Sequence, residues 1–523
     1  MARSAQPLGP FGRAGVLGAA FVVALIGGSI WAVLQFANAP SGLGPADWAA
    51  VRFTIWQAAL SALISVSLAV PLARAIARRR FPGRRALITL LGAPFILPVI
   101  VAVFGLLAVF GRSGLLNTGL EAIGLAPVSI YGRGGVVLAH VFLNLPLATR
   151  LILQGWSEIP TERLRLAQSL GMDSRAIGRI LERPMLRDVV PGALVVIFVV
   201  CTTSFAVALT LGGGPRASTV ELAIYQAIRF EFDLAGAALL SVVQLVIAGG
   251  AAMLALTVSV PSGFGAGLDR PLPRGLAPRG WRKGADACWI VAAALFLGLP
   301  IVMVGVSGMG GIAELPMSVW QAALRSLVVA AVSTGVTVSL ALFMAIAVAR
   351  LSQTASRLVE TAGLMSIAAS SLVLGTGLFI LINPIVNPTS LSLAVTALVN
   401  ALMSLPFALR ALIPAVRVAE GAYGRLSASL GLGGWRYFWL VLLPRIRRPL
   451  AFAAGLTAAL SLGDLGVIAL FAPPDGATLP LQIYHLMGAY RQDDAAAAST
   501  VLLVLTLAVF WILDRGGRGD ADA

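Results

Sequence analysis

Long apolar runs separated by short polar segments extend along the whole chain. A helix that crosses the hydrocarbon core of a bilayer needs about 20 mostly apolar residues. Twelve stretches have that character: 16–37, 51–73, 87–110, 135–153, 190–211, 235–258, 286–306, 321–349, 362–382, 391–413, 449–471 and 495–513. The pattern predicts an all-α integral membrane protein with about 12 transmembrane helices. The first stretch is too long for a signal-peptide core, so we expect it to be a retained helix.

Charge changes this picture in one respect, which is orientation. Charged residues make up 11% of the 523 residues, against about 25% in soluble domains. The net charge of +16 resembles that of a nucleic-acid-binding protein, but the basic residues lie in short clusters between the apolar runs. If the N-terminus is inside, 31 of the 38 Lys and Arg residues fall on the inner side and 7 elsewhere. Because such residues mark cytoplasmic loops, we expect both termini in the cytoplasm.

Three short motifs occur twice in the same order. WQAAL at 56–60 recurs at 320–324, SLG at 169–171 recurs at 429–431, and IY at 224–225 recurs at 483–484. The nearly equal offsets indicate an internal duplication. Because each half has six spans, an even number, both halves should have the same orientation and be related by an axis along the membrane normal.

The duplication predicts a division of the chain into five parts. The expected parts are an N-terminal helix with a periplasmic loop (1–49), a first transmembrane domain (50–260), a cytoplasmic linker with the seventh helix (261–314), a second transmembrane domain (315–515) and a cytoplasmic tail (516–523).

A long polar loop follows the fourth span of each half. It reads ERLRLAQSLG and then LERP in the first half (162–184), and YGRLSASLG and then VLLP in the second (423–444). We call these segments the Gly–Pro loops, because the Pro stands thirteen positions after the Gly in both. A Gly can adopt the left-handed conformation that ends a helix, and a Pro is poorly tolerated inside one. Each loop is therefore predicted to contain two short helices, and Leu164, Ala167 and Leu170 should form one apolar stripe.

This spacing resembles the EAA loop of ATP-binding-cassette importer permeases, whose pattern is Glu-Ala-Ala, three residues, Gly, nine residues and Ile-x-Leu-Pro. In that family the short helix of the loop docks on a cytoplasmic ATPase. The acidic start of the pattern is missing in both loops, where RLA (165–167) and RLS (425–427) stand. The resemblance implies an ATPase dimer as partner. The residues that it assigns to the contact are Leu166, Ala167, Leu170, Gly171, Pro184, Leu426, Ser427, Leu430, Gly431 and Pro444.

Two further stretches, between 204 and 226 and between 462 and 491, look like those of the fused permeases of bacterial thiamine importers. The resemblance implies a type I permease fold and a permease of the bacterial inner membrane that moves thiamine, and its phosphates, by alternating access. It also implies a periplasmic substrate-binding protein as a second partner. Ferric-iron or other small-solute importers share the architecture and stay an alternative. A major-facilitator-type secondary transporter is a remote one, since its long loop would lie in mid-chain.

No catalytic, cofactor-binding or metal-binding residue is predicted. A phosphate-binding loop needs a Lys after its glycines, and the single Lys of the chain, Lys283, lies in no such pattern. ATP and Mg would therefore be bound by a separate subunit, and this chain would be no enzyme. His140 and His485 have no metal-binding neighbours in the sequence. Cys201 and Cys288 lie in apolar runs and are interpreted as small hydrophobic residues.

A few residues are candidates for the substrate path. Asp464 is the acid that we place within an apolar span, where an ionisable residue is a functional candidate. Its carboxylate could offset the hydration that a cation such as thiamine loses, or it could hold a helix break by accepting backbone N–H groups. Tyr225 and Tyr484 could stack on a cation or anchor their helices at the membrane surface. Phe205, in the first of the two stretches, completes the set.

Overall fold

The structure is a computed structural model that describes residues 9–37, 42–92, 96–214, 217–256, 280–367, 369–473 and 475–517. Over these residues the chain consists of helices, turns and loops and contains no strand. The all-α prediction is therefore confirmed. Most of the predicted linker, up to residue 279, and the tail beyond residue 517 lie outside the described residues.

The first half contains long helices interrupted by short ones. Its α-helices are α1 (Pro10–Phe36), α2 (Pro45–Arg78), α3 (Arg84–Leu90), α4 (Val99–Phe110), α5 (Leu115–Ala122), α6 (Arg133–Glu158), α7 (Thr161–Ser169), α8 (Ser174–Ile177), α9 (Arg183–Thr202), α10 (Ala206–Leu211), α11 (Val220–Gln226) and α12 (Leu234–Leu256). Two π-helical turns, Gly178–Glu182 and Ala227–Glu231, follow α8 and α11.

The second half repeats this order with fewer pieces. Its α-helices are α13 (Trp281–Gly308), α14 (Met317–Arg350), α15 (Gln353–Leu364), α16 (Ser371–Ile382), α17 (Ser392–Ser429), α18 (Gly434–Tyr437), α19 (Leu443–Leu462), α20 (Gly466–Phe471), α21 (Leu479–Gly488) and α22 (Gln492–Gly516). A π-helical turn, Phe438–Leu442, follows α18. Short 3₁₀ segments are Met309–Glu314, Met365–Ile367 and Pro388–Leu391.

Eleven helical stretches of the described residues are long and apolar enough to cross a membrane. The ninth predicted span (362–382) is bent instead of straight, because α15 and α16 meet at 92°. Counted as one span, this pair makes twelve. The third predicted span (87–110) is wrong as a single helix, since α3 ends at Leu90 and α4 begins only at Val99. Pro98 disfavours the helical conformation of the residue before it, which explains the late start.

The two halves pack in the same way. In the first half α2 packs against α6 and α9, and α9 packs against α12; in the second half α14 packs against α17 and α19, and α19 packs against α22. The first helix of each half, α1 or α13, packs against helices of the other half. Helix α1 lies against α14 and α16 of the second half, and α13 lies against α2 and α4 of the first. The duplication is therefore a property of the structure, and these contacts tie the halves together.

Two equivalent hydrogen bonds give the register of the duplication in the second span. The N–H of Val220 donates to the Thr54 hydroxyl at 2.9 Å, and the N–H of Leu479 donates to the Ser326 hydroxyl at 2.8 Å. Thr54 and Ser326 are 272 residues apart, and the same offset relates the first and last residues of α2 to those of α14. The structural counterpart of Trp320 is therefore residue 48, and the WQAAL repeat at 56–60 is out of register with the fold.

Candidate functional site

The Gly–Pro loops lie at the end of the molecule where α2 and α14 finish, which we call the arginine-rich end. Gly171 has a φ of +63° and Gly431 a φ of +67°, as predicted for residues that end a helix. In the first loop the N–H of Met172 donates to the carbonyl of Ala167 at 3.0 Å, and the equivalent bond in the second loop measures 2.8 Å. This bond closes a Schellman motif, so both loops turn at the same point.

Each turn exposes a pair of leucines. The exposed fractions of the four residues lie between 55% and 65%, although leucine is among the residues most often buried. The pairs are Leu166 with Leu170, and Leu426 with Leu430. The two leucines of each pair are four residues apart at a helix end, so their side chains lie on the same face of the helix.

The predicted apolar stripe is wrong in part. Leu164 and Ala167 are buried and pack with Ile177 of the same loop, whereas Leu170 faces outward. The equivalent of Ala167, Ser427, is also buried. The small residue before the turn therefore packs inside its own loop, and the leucines on either side remain available to a partner.

Pro184 and Pro444 do not end a helix, contrary to the prediction. Each lies in the first turn of the following helix, α9 or α19, and the π-helical turn before it continues from α8 or α18. The N–H of Arg183 bonds to the carbonyl of Gly178, five residues back. A π turn inserts one extra residue, which allows the proline to follow helical residues without breaking the helix.

The second loop also differs from the first at its start. Helix α17 continues from the tenth span without interruption to Ser429, whereas α6 ends at Glu158 and α7 begins anew. The first half has Pro160 at the position of Glu420, by the 260-residue offset of the loops. Only the first loop is separated from its span, and Pro160, which has no backbone N–H to donate, lies at the interruption.

Buried ion pairs connect the first loop, and the part of α17 that leads into the second loop, to the second span of their half. Glu182, in the first π turn, pairs with Arg78 and, at 3.1 Å, with Arg74 of α2. Glu420 pairs with Arg350 of α14 at 2.7 Å. Both carboxylates are buried. The sequence analysis missed these residues, because nothing in the local pattern shows that an acid of one loop meets an arginine about 70 to 100 residues away.

The fifth and eleventh predicted spans are each interrupted. Helix α9 ends at Thr202 and α10 begins at Ala206, while α19 ends at Leu462 and α20 begins at Gly466. The two interruptions, 203–205 and 463–465, are equivalent by the 260-residue offset. We call them the helix breaks.

Side-chain amides satisfy the carbonyl groups that the first break leaves free. Gln57 of α2 donates to the carbonyl of Cys201 at 2.9 Å, and Gln244 of α12 donates to the carbonyl of Thr202 at 2.9 Å. An unpaired buried carbonyl would be costly in this apolar setting. The break is therefore held by two neighbouring helices.

Asp464 lies in the second break. Its Oδ1 accepts a hydrogen bond from the N–H of Gly466 at 3.2 Å, as the helix-break interpretation requires. Its Oδ2 is buried and has no hydrogen-bond partner within the described part of the chain. One oxygen therefore holds the break, while the other makes no hydrogen bond within the described residues and the Asn400 side chain lies near the carboxylate.

The residues predicted for the substrate path lie together where the two halves meet. A Cβ built on Gly466 would lie 3.6 Å from Asp464 Oδ1 and 3.9 Å from a ring carbon of Phe205, which comes from the first break. The rings of Phe205 and Tyr225 are 5.3 Å apart in an edge-to-face arrangement. Tyr484 lies close enough to Tyr225 for the two phenols to interact electrostatically. These residues form one cluster between the helix breaks.

One buried acid near this cluster escaped the sequence analysis. Glu221, in α11, is completely buried beside the side chains of Ser370 and Gln244. It lies in the loop between two predicted spans, so the hydropathy pattern gave no reason to expect it in the interior.

Known proteins resemble the chain along almost its whole length. Thiamine transport system permease protein ThiP of Escherichia coli (strain K12) is 39% identical over 491 residues, which cover 90% of this chain and 89% of that protein. The protein of the same name from Brucella abortus (strain 2308) is 38% identical over 523 residues, covering 98% and 96%. That of Haemophilus influenzae is 33% identical over 514 residues, covering 94% and 93%. No protein-family model matches the chain.

Proposed function

The chain belongs to the family of thiamine transport system permeases, and from this premise we propose that it moves thiamine and its phosphates across the inner membrane by alternating access. The family relationship removes the secondary-transporter alternative and favours thiamine over ferric iron. ATP hydrolysis is assigned to a separate subunit dimer, and delivery of the substrate to a periplasmic binding protein.

The observation that carries this proposal is the pair of equivalent turns at the arginine-rich end. Each presents two exposed leucines on a helix end that a Schellman turn and a buried ion pair hold in position. A leucine pair is suited to a hydrophobic groove on a partner. Two such pairs on one chain match the two subunits of an ATPase dimer, and we assign one loop to each subunit.

The proposed orientation puts both termini and the arginine-rich end in the cytoplasm, in accord with the distribution of basic residues. The opposite end would then receive the binding protein. Two aromatic residues there, Phe232 and Tyr490, are 82% and 89% exposed and have φ values of +54° and +59°. Positive φ is strained for such residues, and strain of this kind concentrates at functional sites. We assign this surface to the binding protein.

The proposed substrate path passes between the helix breaks. Phe205, Tyr225 and Tyr484 offer aromatic rings to a cation, and Asp464 offers a carboxylate oxygen without a partner. Interrupted helices near the interface of two repeats are a known setting for substrate sites in transporters.

The test is uptake into vesicles that contain the full chain and its ATPase subunit, with the binding protein outside. We expect uptake of labelled thiamine that requires ATP inside the vesicle. The matched control carries an ATPase whose phosphate-binding Lys is changed to Ala, and uptake should stop. Equal thiamine uptake with this inactive ATPase would contradict ATP-driven import, and uptake of ferric iron without uptake of thiamine would contradict the substrate.

A further inference from the structure

An open cavity of about 700 Å³ lies at the arginine-rich end of the first half, between α2, α9 and the start of α13. We call it the arginine cavity. Its lining includes six arginines but only two acids, Glu182 and Asp286. The arginines are Arg74, Arg78, Arg175, Arg179, Arg183 and Arg282.

The two acids are already engaged by arginines in the last turns of α2 and directly after it. Glu182 pairs with Arg74 and Arg78, and Asp286 pairs with Arg79 at 2.6 Å. The three arginines on the opposite wall have no carboxylate within ion-pair distance among the residues that the structure describes. They are Arg175, Arg179 and Arg183. The cavity therefore has an excess of positive charge on one wall.

The second half shows that the fold does not require these arginines. By the 260-residue offset, Trp435, Trp439 and Leu443 occupy the equivalent positions. There, Phe11 of α1 stacks on the rings of Trp435 and Phe438, with centroids 5.7 and 4.8 Å apart. The same place is thus filled by aromatic rings in one half, and is open and basic in the other.

An apolar groove of about 420 Å³ adjoins the arginine cavity along α9. The groove shares Arg183 and Leu186 with the cavity and continues past Arg187 and Val190 to Pro191. The other wall of the cavity carries Trp281 and Trp289 of α13, and tryptophan is enriched at the level of lipid headgroups. Basic and apolar parts therefore follow one another along a helix that crosses the membrane.

We propose that the arginine cavity binds the headgroup phosphate of an anionic phospholipid, with an acyl chain in the adjoining groove. Planar guanidinium groups bind phosphate oxygens in pairs, and basic pockets between helices on the cytoplasmic side are suited to such headgroups. The choice of the cytoplasmic leaflet rests on the proposed function, through the orientation given there. The bound lipid would link α2, α9 and α13, and hence one Gly–Pro loop, to the membrane surface.

The test is a titration of the detergent-purified full chain with dioleoylphosphatidylglycerol, followed by native mass spectrometry to count retained lipids. Arg179→Gln/Arg183→Gln removes two exposed cavity arginines that have no ion-pair partner among the described residues. Arg436→Gln/Arg447→Gln removes the same charge from exposed positions in the second half. We expect one lipid to bind about thirtyfold more weakly to the first variant and unchanged to the control. Arg179→Lys/Arg183→Lys should bind more tightly than the Gln variant.

Three results would overturn the proposal. Equal weakening in the control variant would mean that the overall charge holds the lipid. Displacement of the lipid by millimolar inorganic phosphate or glycerol phosphate would identify a soluble anion as the ligand. Weaker ATPase binding by Arg179→Gln/Arg183→Gln, with lipid binding unchanged, would assign the cavity to that protein. The titration uses neither thiamine nor ATP, so its failure and a failed uptake assay are separate results.

Discussion

The exposed leucines permit a quantitative test of the Gly–Pro loops. We consider two double variants of the full chain, Leu166→Ala/Leu170→Ala and Leu426→Ala/Leu430→Ala. Each leucine is more than half exposed and lies beside a turn whose backbone hydrogen bonds do not involve its side chain. Truncation should therefore leave the loop folded and remove only the surface that a partner would cover.

The magnitude follows from the exposed fraction. Leu→Ala removes three carbons, each worth about 0.8 kcal/mol when it passes from water to an apolar site. Because about 60% of each side chain is available for covering, the loss is about 1.5 kcal/mol per leucine. A pair then contributes about 3 kcal/mol, or about a hundredfold in Kd.

The assay is binding of the ATPase subunit to the permease in nanodiscs, measured by interferometry. We expect each double variant to weaken one of the two binding sites about a hundredfold. Leu115→Ala/Leu125→Ala is the matched control, since these leucines are 52% and 54% exposed and belong to the opposite end. An unchanged Kd in both loop variants, or an equal loss in the control, would refute the assignment of the loops.

Three other predictions follow from the ion pairs, the break and the proposed orientation. Asp464→Asn should lower ATP-driven thiamine uptake by about tenfold, the effect of one charge lost beside a cation in a partly screened site, and uptake equal to wild type would contradict a role in the path. Glu182→Gln should lower the apparent Tm, because it leaves the buried Arg78 without its carboxylate at a cost of about 3 kcal/mol. Glu360→Gln, in a half-exposed pair, should change stability by less than about 1 kcal/mol. In a chain without native cysteines, Phe232→Cys should react with an impermeant thiol reagent added from outside, and Leu170→Cys should not. The opposite labelling pattern would contradict the proposed orientation.

The lengths of the apolar runs predicted most of the spans, because every helix that crosses a bilayer needs about 20 mostly apolar residues. Hydropathy is a local property, and it located ten of the crossing stretches despite the many prolines of the chain. It failed where an apolar run contains a bend. The runs at 87–110 and 362–382 read as continuous, but the backbone turns within them. A turn inside an apolar run leaves hydropathy unchanged, so only the packing of other helices decides where the helix stops.

The helix breaks show the same limit at the candidate site. The run at 190–211 contains no proline after Pro191 and only one glycine before the break. It is interrupted where Gln57 and Gln244, from distant parts of the chain, donate hydrogen bonds to the freed carbonyls of Cys201 and Thr202. Pro184 shows the converse error. The residue type predicted the end of a helix, but a π turn accommodates it. Both outcomes depend on tertiary contacts that no local pattern contains.

The duplication within one chain also gives the proposed substrate site a property that two identical subunits could not have. The counterpart of Asp464 in the first break is Ser204, by the offset of 260 residues. Because Phe205 of one break lies against Gly466 of the other, an acid in both breaks would bring two carboxylates close together. Like charges at short range oppose each other's ionisation, so a symmetric site would tend to keep one of them protonated. A single Asp, with a Ser at the equivalent position of the other break, avoids this conflict. In the proposed substrate path it leaves one oxygen for the positive thiazolium of thiamine, while the other oxygen of the same residue holds the break.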